Sequence, residues 1–363
     1  MAWPPGAAAP PAAGGPAPFE ATRIDRMVPP QEAARTEPVP AVVMAGDRGA
    51  ARAVRGESKV FLELDGRALV AHVVAALQDV PEISAIWVIG DARRLEQALA
   101  PLGESLRKPV HVVEQFRNLY ENCWETYRRV LPGAPPEGRD PESEADRQVP
   151  VLYLSGDLPF ATPGEVSDFV RKALSRQCVY AVGFVEEHSV APFYPAAPGQ
   201  PGIHPVYFNI SEGRVRQSNL HLVRVGSLVN RHYIQEMYEH RYQKQLGNMI
   251  AMGWRIVRSE SGGLGIAFYY GLLHVASILD RLGLRRVADR IRSWVPTSKV
   301  EDCVSRLLRS SFRLVITSCG GCAVDIDKED EYDAALARYD EWRSAQAERA
   351  RELYGALPEH TAS

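Results

Sequence analysis

The chain has 363 residues and a formal net charge of −3, with 45% apolar residues. That length can bury a real core, in one large domain or two. The slightly acidic balance weighs against a general nucleic-acid binder, which is usually basic, so no nucleic-acid partner is expected.

Residues 1–37 are rich in Ala, Pro and Gly without an apolar period, and read as a disordered tail. A short apolar strand, Val39 to Ala45, opens the ordered part. It runs into a glycine-containing basic loop that ends at Lys59, and a second apolar run, Val60 to Leu64, precedes the Asp65-Gly66 turn. Ala68 to Leu77 fits a helix, Ile83 to Gly90 a buried strand, Arg93 to Leu102 a helix, and Val110 to Glu114 a strand. Asn118 is placed to cap the helix carrying Leu119, Trp124, Tyr127 and Val130. The Pro-, Glu- and Asp-rich residues 132–149 read as an exposed excursion. Val151 to Ser155 is the next strand. Thr162 and Pro163 open a helix to Leu174, and Val179 to Val185 is strand-like again.

Strands alternating with helices at this spacing predict parallel βαβ units in a three-layer α/β/α sandwich. From residue 202 the pattern changes. Val206 to Ile210 and Arg214 to Asn219 predict a hairpin, and residues 228–310 read as mostly helical. Arg313 to Thr317 and Ala323 to Ile326 read as final strands, and an amphipathic helix closes the chain from Glu329. The domain reading is a core at 38–227, a helical insertion at 228–310, and a return to the core at 311–355.

The chemistry follows from the sheet rule. In parallel α/β sheets ligands sit beyond the carboxyl ends of the strands, so the Gly46–Lys59 loop and the Gly156-Asp157 turn share one rim. Glycine lets backbone N–H groups approach an anion, and Arg and Lys supply charge. Asp157, in L-S-G-D-L-P-F, stands just past an apolar strand. Asp325 and Asp327 lie in A-V-D-I-D-K-E-D and share a face if that stretch is extended. Carboxylates and a basic loop on one rim suggest Mg²⁺ with a nucleoside triphosphate, because Mg²⁺ is usually held by one or two carboxylates plus phosphate oxygens.

Three stretches carry a resemblance. A-V-V-M-A-G-x-R-G…K-V-F-L-E-L-D-G-R-A-L resembles the opening of the MobA-like nucleotidyltransferases, a strand, L-A-G-G-x-G-x-R and then P-K-x-L-x-x-x-G-x-P. G-D-L-P resembles their metal-binding G-D-x-P, and V-D-I-D-K-E-D-E-Y their closing D-I-D-T-P-E-D-L. The resemblance implies a Rossmann-like nucleotidyltransferase fold. It implies transfer of a nucleoside monophosphate from CTP or GTP to a phosphorylated acceptor, with Mg²⁺ and release of pyrophosphate. Ala45, Gly46, Asp47 and Gly49 would line the nucleotide. Lys59 would neutralise the α-phosphate, with Arg48 and Arg52 in support. Asp157 and Asp327 would hold the metal, with Asp325 a substitute. Asn118 or Asn122 would lie where the family reads the base.

The loop departs from the family pattern. Asp47 replaces its second glycine, Ala51 stands at its usual arginine, and Ser58 replaces the proline before Lys59. A carboxylate at Asp47 repels phosphate unless Arg48, Arg52 or Arg55 offsets it or it points away. Two other readings stay open. One is a nucleotide-sugar glycosyltransferase, on the string Asp325-Ile326-Asp327. The other is a non-catalytic nucleotide-binding sensor or scaffold, on the unusual loop.

Other features bound the setting. Five scattered cysteines do not form a disulfide framework, so a reducing, cytoplasmic setting is expected. The opening M-A-W-P-P-G is not a signal peptide, and no run reaches the roughly 18 apolar residues of a spanning helix. Cys319-Gly-Gly-Cys322 has redox or metal spacing but no second pair, so inert thiols are expected. In the insertion, G-L-G-I-A-F-Y-Y-G-L-L-H-V-A-S-I-L is flanked by Arg255, Arg258, Arg281, Arg285 and Arg286. It could be a lid over the acceptor that touches a lipid-like substrate or a membrane surface, or a buried helix of a helical subdomain.

Overall fold

The computed structural model describes residues 37–47, 53–197, 199–230 and 284–355, with isolated positions between 268 and 282. Strand β1 (Val39–Ala45) is buried on both faces, as a central strand of a parallel sheet must be. Helices and strands then alternate: α1 (Leu69–Gln78), β2 (Ile83–Gly90), α2 (Ala92–Leu99), β3 (Val110–Glu114), α3 (Leu119–Val130), β4 (Val151–Ser155), α4 (Pro163–Ser175) and β5 (Tyr180–Glu186). Asp91, Asn118 and Thr162 cap α2, α3 and α4 with their side chains. The hairpin β6 (Phe208–Ile210) and β7 (Gly213–Val223) follows, then α5 (Arg285–Arg292), α6 (Thr297–Leu308), β8 (Phe312–Thr317) and α7 (Glu329–Tyr354).

The sheet runs β8-β5-β7-β4-β1-β2-β3, with β6 paired to β7 alone. β1 pairs in parallel with both β2 and β4, and β8 in parallel with β5. β7 runs antiparallel between β4 and β5. The chain builds outward from β1 to β3, then returns to add β4 on the other side. The β1/β4 boundary is therefore a topological switch point, where strand ends open a crevice.

Both faces are covered. Val39, Ala41, Val43 and Ala45 point into a core shared with α1, α2 and α4. Val42 points the other way, into a cluster with Tyr127, Leu131, Val151 and Tyr153 beneath α3. A third cluster joins Trp342 and Tyr339 of α7 to Phe160, Phe193 and Ile326. The result is the mostly parallel α/β/α sandwich.

Several local expectations need correction. The apolar run Val60 to Leu64 divides between two elements. Lys59–Phe61 is a 3-10 turn, and Glu63–Leu64 pairs with Arg67–Ala68 through Asp65 (φ 51°) and Gly66 (φ 68°). Positive φ at both turn positions is the hairpin geometry that suits strand twist. The helix starting near Arg93 ends at Leu99 and gives way to a 3-10 segment, Ala100–Ser105. Ala323 to Ile326 is not a strand: Gly321–Ala323 makes a 3-10 turn and a loop follows. The acidic excursion 132–149 carries a short helix, Glu144–Arg147, fixed by a capping box at Ser143. Of the insertion, α5 and α6 are helical; the apolar run 263–279 and Arg255, Arg258 and Arg281 lie outside the described residues, isolated positions aside. So does the tail through residue 36.

Candidate active site

The rim above β1 and β4 gathers the charged residues. β4 ends at Ser155, and the amide of Gly156 donates to the carbonyl of Met44 at 2.9 Å, so the two strand ends leave the sheet together. Asp157 comes next and is nearly buried. The Ser155 hydroxyl donates to one of its oxygens. Lys59 stands at the start of its 3-10 turn, with Val60 buried behind it. The preceding hairpin, Ala53–Val54 with Glu57–Ser58, is tied down through Glu57, which accepts from Arg94 at 2.6 Å.

Lys59 Nζ lies 2.7 Å from Asp157 Oδ2 and 2.5 Å from Asp327 Oδ1. Burial opposes the ammonium charge, but the two carboxylates outweigh it and hold its pKa well above the ordinary lysine value. Lys59 is therefore a fixed cation at any working pH.

Asp327 reaches this place by way of the loop after β8. Two glycines bring the loop in. A Cβ on Gly321 would stand 1.9 Å from the carbonyl oxygen of Phe160, and one on Gly320 2.3 Å from that of Ser189. The glycines of the Cys-Gly-Gly-Cys string are thus points of close backbone approach. Cys319 and Cys322 are buried, burial pushes both thiols up, and the Cys322 amide donates to Glu165 at 3.0 Å. Arg216 of β7 then clamps the loop: its Nε donates to the Ala323 carbonyl at 2.6 Å and its Nη2 to Asp325 Oδ1 at 2.7 Å. The amide of Asp327 donates to Glu331 at 2.9 Å.

Asp325 and Asp327 therefore meet different cations rather than sharing one face. Burial, with Asp327 and Asp157 nearby, pushes the Asp325 carboxyl up to about 6, while Arg216 and Lys59 act against that shift. Among the described residues, the cluster brings Asp157, Asp325 and Asp327 together with Lys59 and Arg216. Carboxylate oxygens are the donors that a hard divalent ion takes. Among the described residues no group of three or more His, Cys, Asp or Glu is arranged to hold a metal by itself.

A polar network lies beside this cluster. Ala45 ends β1, and Gly46 follows. A Cβ on Gly46 would stand 3.1 Å from Gln115 Oε1 and 3.2 Å from Asn122 Nδ2. Gln115 Nε2 donates to Asp47 Oδ1 at 2.7 Å, and the Asp47 amide donates back to Gln115 Oε1 at 3.0 Å. Gln115 thus holds the Asp47 carboxylate. Arg55 does not: it pairs with Asp333 and stacks over Tyr332. Asn122 is buried and accepts from the Phe116 amide at 2.7 Å, whereas Asn118 is occupied as the α3 cap. Arg48, Gly49 and Arg52 lie outside the described residues. Sequence reasoning missed Gln115 and Arg216. The available signal was position: Gln115 directly follows β3, and Arg216 lies early in β7, the strand whose direction is reversed.

The sequence signature of the MobA-like NTP transferase domain matches residues 41–236. Among curated proteins, 2-C-methyl-D-erythritol 4-phosphate cytidylyltransferase of Chlorobium luteolum is 27% identical over 127 residues, covering 34% of this chain and 50% of that protein. The chain thus spans about half the length of this relative. Among solved structures, a hypothetical transferase from Thermus thermophilus aligns with a TM-score of 0.47 at 21% identity, over 82% of this chain and 99% of its own. The 4-diphosphocytidyl-2C-methyl-D-erythritol synthase of Anaerococcus prevotii aligns with a TM-score of 0.41 at 11% identity, over 84% and 99%. The domain signature covers more than half of the chain and includes β1, Lys59 and Asp157: the protein belongs to the MobA-like NTP transferase family.

Proposed function

We propose that the chain is a nucleotidyltransferase that moves a nucleoside monophosphate from an NTP to a phosphorylated acceptor. An acceptor phosphate oxygen attacks the α-phosphorus in line, the bond to the bridging oxygen of the β-phosphate breaks, and pyrophosphate leaves. The observation that carries this reading is Lys59 held between Asp157 and Asp327 at the β1/β4 switch point. Such a reaction needs little covalent help, but it needs charge neutralised where it develops. Lys59 supplies a fixed positive charge for the α-phosphate. Ala45 and Gly46 offer backbone to the nucleotide, and the Gln115–Asn122 network stands on the side where a base would lie.

Asp157 and Asp327 would hold magnesium, with Asp325 behind them on Arg216. Such an ion would supply positive charge against the triphosphate. The curated relative is named as a cytidylyltransferase acting on a sugar-alcohol phosphate, which makes CTP the first nucleotide to test, with GTP beside it. All five cysteines are free, which suits a reducing cytoplasm. Membership of the MobA-like NTP transferase family favours the nucleotidyltransferase reading over the glycosyltransferase one. The test is pyrophosphate release with each NTP, Mg²⁺ and a panel of phosphorylated acceptors. Release with one NTP supports the reading; NTP binding without release from any acceptor supports a sensor instead.

A further inference from the structure

Residues 281–309 contain eight Lys and Arg against three Asp and Glu, in a chain whose net charge is −3. A local excess of that sign marks a surface for an anionic partner. Inside this stretch, Ala288 of α5 and Val295 just beyond it are buried. The amide of Ser211 donates to the carbonyl of Val295 at 3.0 Å, and the amide of Thr297 donates to Glu212 at 3.0 Å. These bonds fasten the end of α5 to the β6–β7 turn.

Leu284, Val287, Ile291 and Trp294 recur at helical spacing and share one side of this segment. The body uses only part of that side. Leu284, Val287 and Trp294 are each about half exposed, and Leu282 before them more so. β6, against which α5 packs, adds exposed Phe208, and exposed Val206 stands two residues before it. Arg286 and Arg290 border the row and are exposed.

We propose that this edge of the protein docks on an anionic membrane surface. Aliphatic side chains and an indole in a row, bordered by arginines, is the pattern of a helix lying in the headgroup layer. Guanidinium groups pair with lipid phosphates in bidentate fashion. Among the described residues no helix is long and apolar enough to cross a membrane. Two weak signals, apolar area and basic charge, act together, as stable peripheral binding requires.

The test is flotation of the full-length protein with phosphatidylcholine vesicles, with and without phosphatidylglycerol. Recovery is expected with the anionic vesicles at low salt, falling as salt is added. The double variant R286Q/R290Q should partition about twenty-five-fold more weakly, from two surface charges each worth about fivefold. Val287→Glu should also lose recovery, and brominated lipid should quench Trp294 fluorescence in the wild type but not in W294F. Thermal unfolding of each variant should match wild type, which separates lost docking from lost fold. Absence of lipid-dependent recovery, or equal recovery of R286Q/R290Q, overturns the proposal. So does retention on an acidic protein matrix by a chain that ignores vesicles.

Discussion

Asp327 lies 2.5 Å from Lys59, although 268 residues separate them in the chain. The pair closes the rim from two sides: Lys59 arrives from the loop after β1, and Asp327 from the loop after the edge strand β8. With Asp157 on the same ammonium, the three form the part of the site on which the proposed reaction depends.

Lys59→Ala should lower the rate of pyrophosphate release about 10²–10³-fold, the usual cost of removing one donor aimed at developing negative charge. Circular dichroism should show the fold retained. Full turnover in this variant removes Lys59 from its proposed role.

Asp157→Asn should raise the half-saturating Mg²⁺ concentration at least tenfold in a thermal-shift titration with NTP present, since ligand binding to the native state is read as stability. An unchanged metal requirement would exclude Asp157 as a ligand.

Arg216 touches the loop rather than any reacting atom, so its effect should appear in metal affinity before rate. Arg216→Met is expected to weaken Mg²⁺ binding by about 10–100-fold, as outer-shell losses do. Arg216→Lys keeps the charge but not the two-pronged grip, and should fall between. Identical Mg²⁺ titrations for all three proteins would reduce Arg216 to a surface contact.

Gly321→Ala must displace the carbonyl of Phe160 or the loop itself. Overpacking of this kind costs about 1–3 kcal/mol. The variant should melt lower and bind Mg²⁺ more weakly, because the loop carries Asp327. A reductant should change neither property of the wild type, whose two thiols are buried and protonated.

Glu165 is fully buried, and burial pushes its carboxyl up to about 8 although the Cys322 amide hydrogen-bonds it. Between the ordinary carboxylate value and about pH 8 the folded state then binds more protons than the unfolded state. Stability from this group is complete below that window and lost as pH rises through it. Urea denaturation should show wild type losing on the order of a few kcal/mol relative to Glu165→Gln from pH 5 to pH 8. Parallel pH curves for the two proteins would contradict a buried, protonated Glu165.

Much of the sheet could be read from the chain because its information is local. Ile83–Gly90 and Val110–Glu114 are apolar runs bounded by breakers, and Asn118 and Thr162 announce the helices they cap. The position of β7 could not be read. Its pattern gives a strand but not its partners, and pairing with β4 and β5 is decided by distant contacts. Val324 and Ile326 looked like a strand because they are apolar. They are buried anchors of a loop, and no ladder claims them. The Asp47–Gln115 pair was equally hidden, since a carboxylate in a basic loop gives no sign that an amide 68 residues away holds it. Arg216 was passed over because an arginine in an alternating strand looks like a solvated face.

The rim is assembled from both ends of the chain, and this constrains how the protein can be cut. The recognisable domain stops at residue 236, yet Asp327 and the aromatic helix around Trp342 come after it. A fragment trimmed to the recognisable part would keep the lysine and one acid while shedding the edge strand and the other acid. It would be an incomplete cleft with an unpaired sheet margin, prone to stick to its own kind.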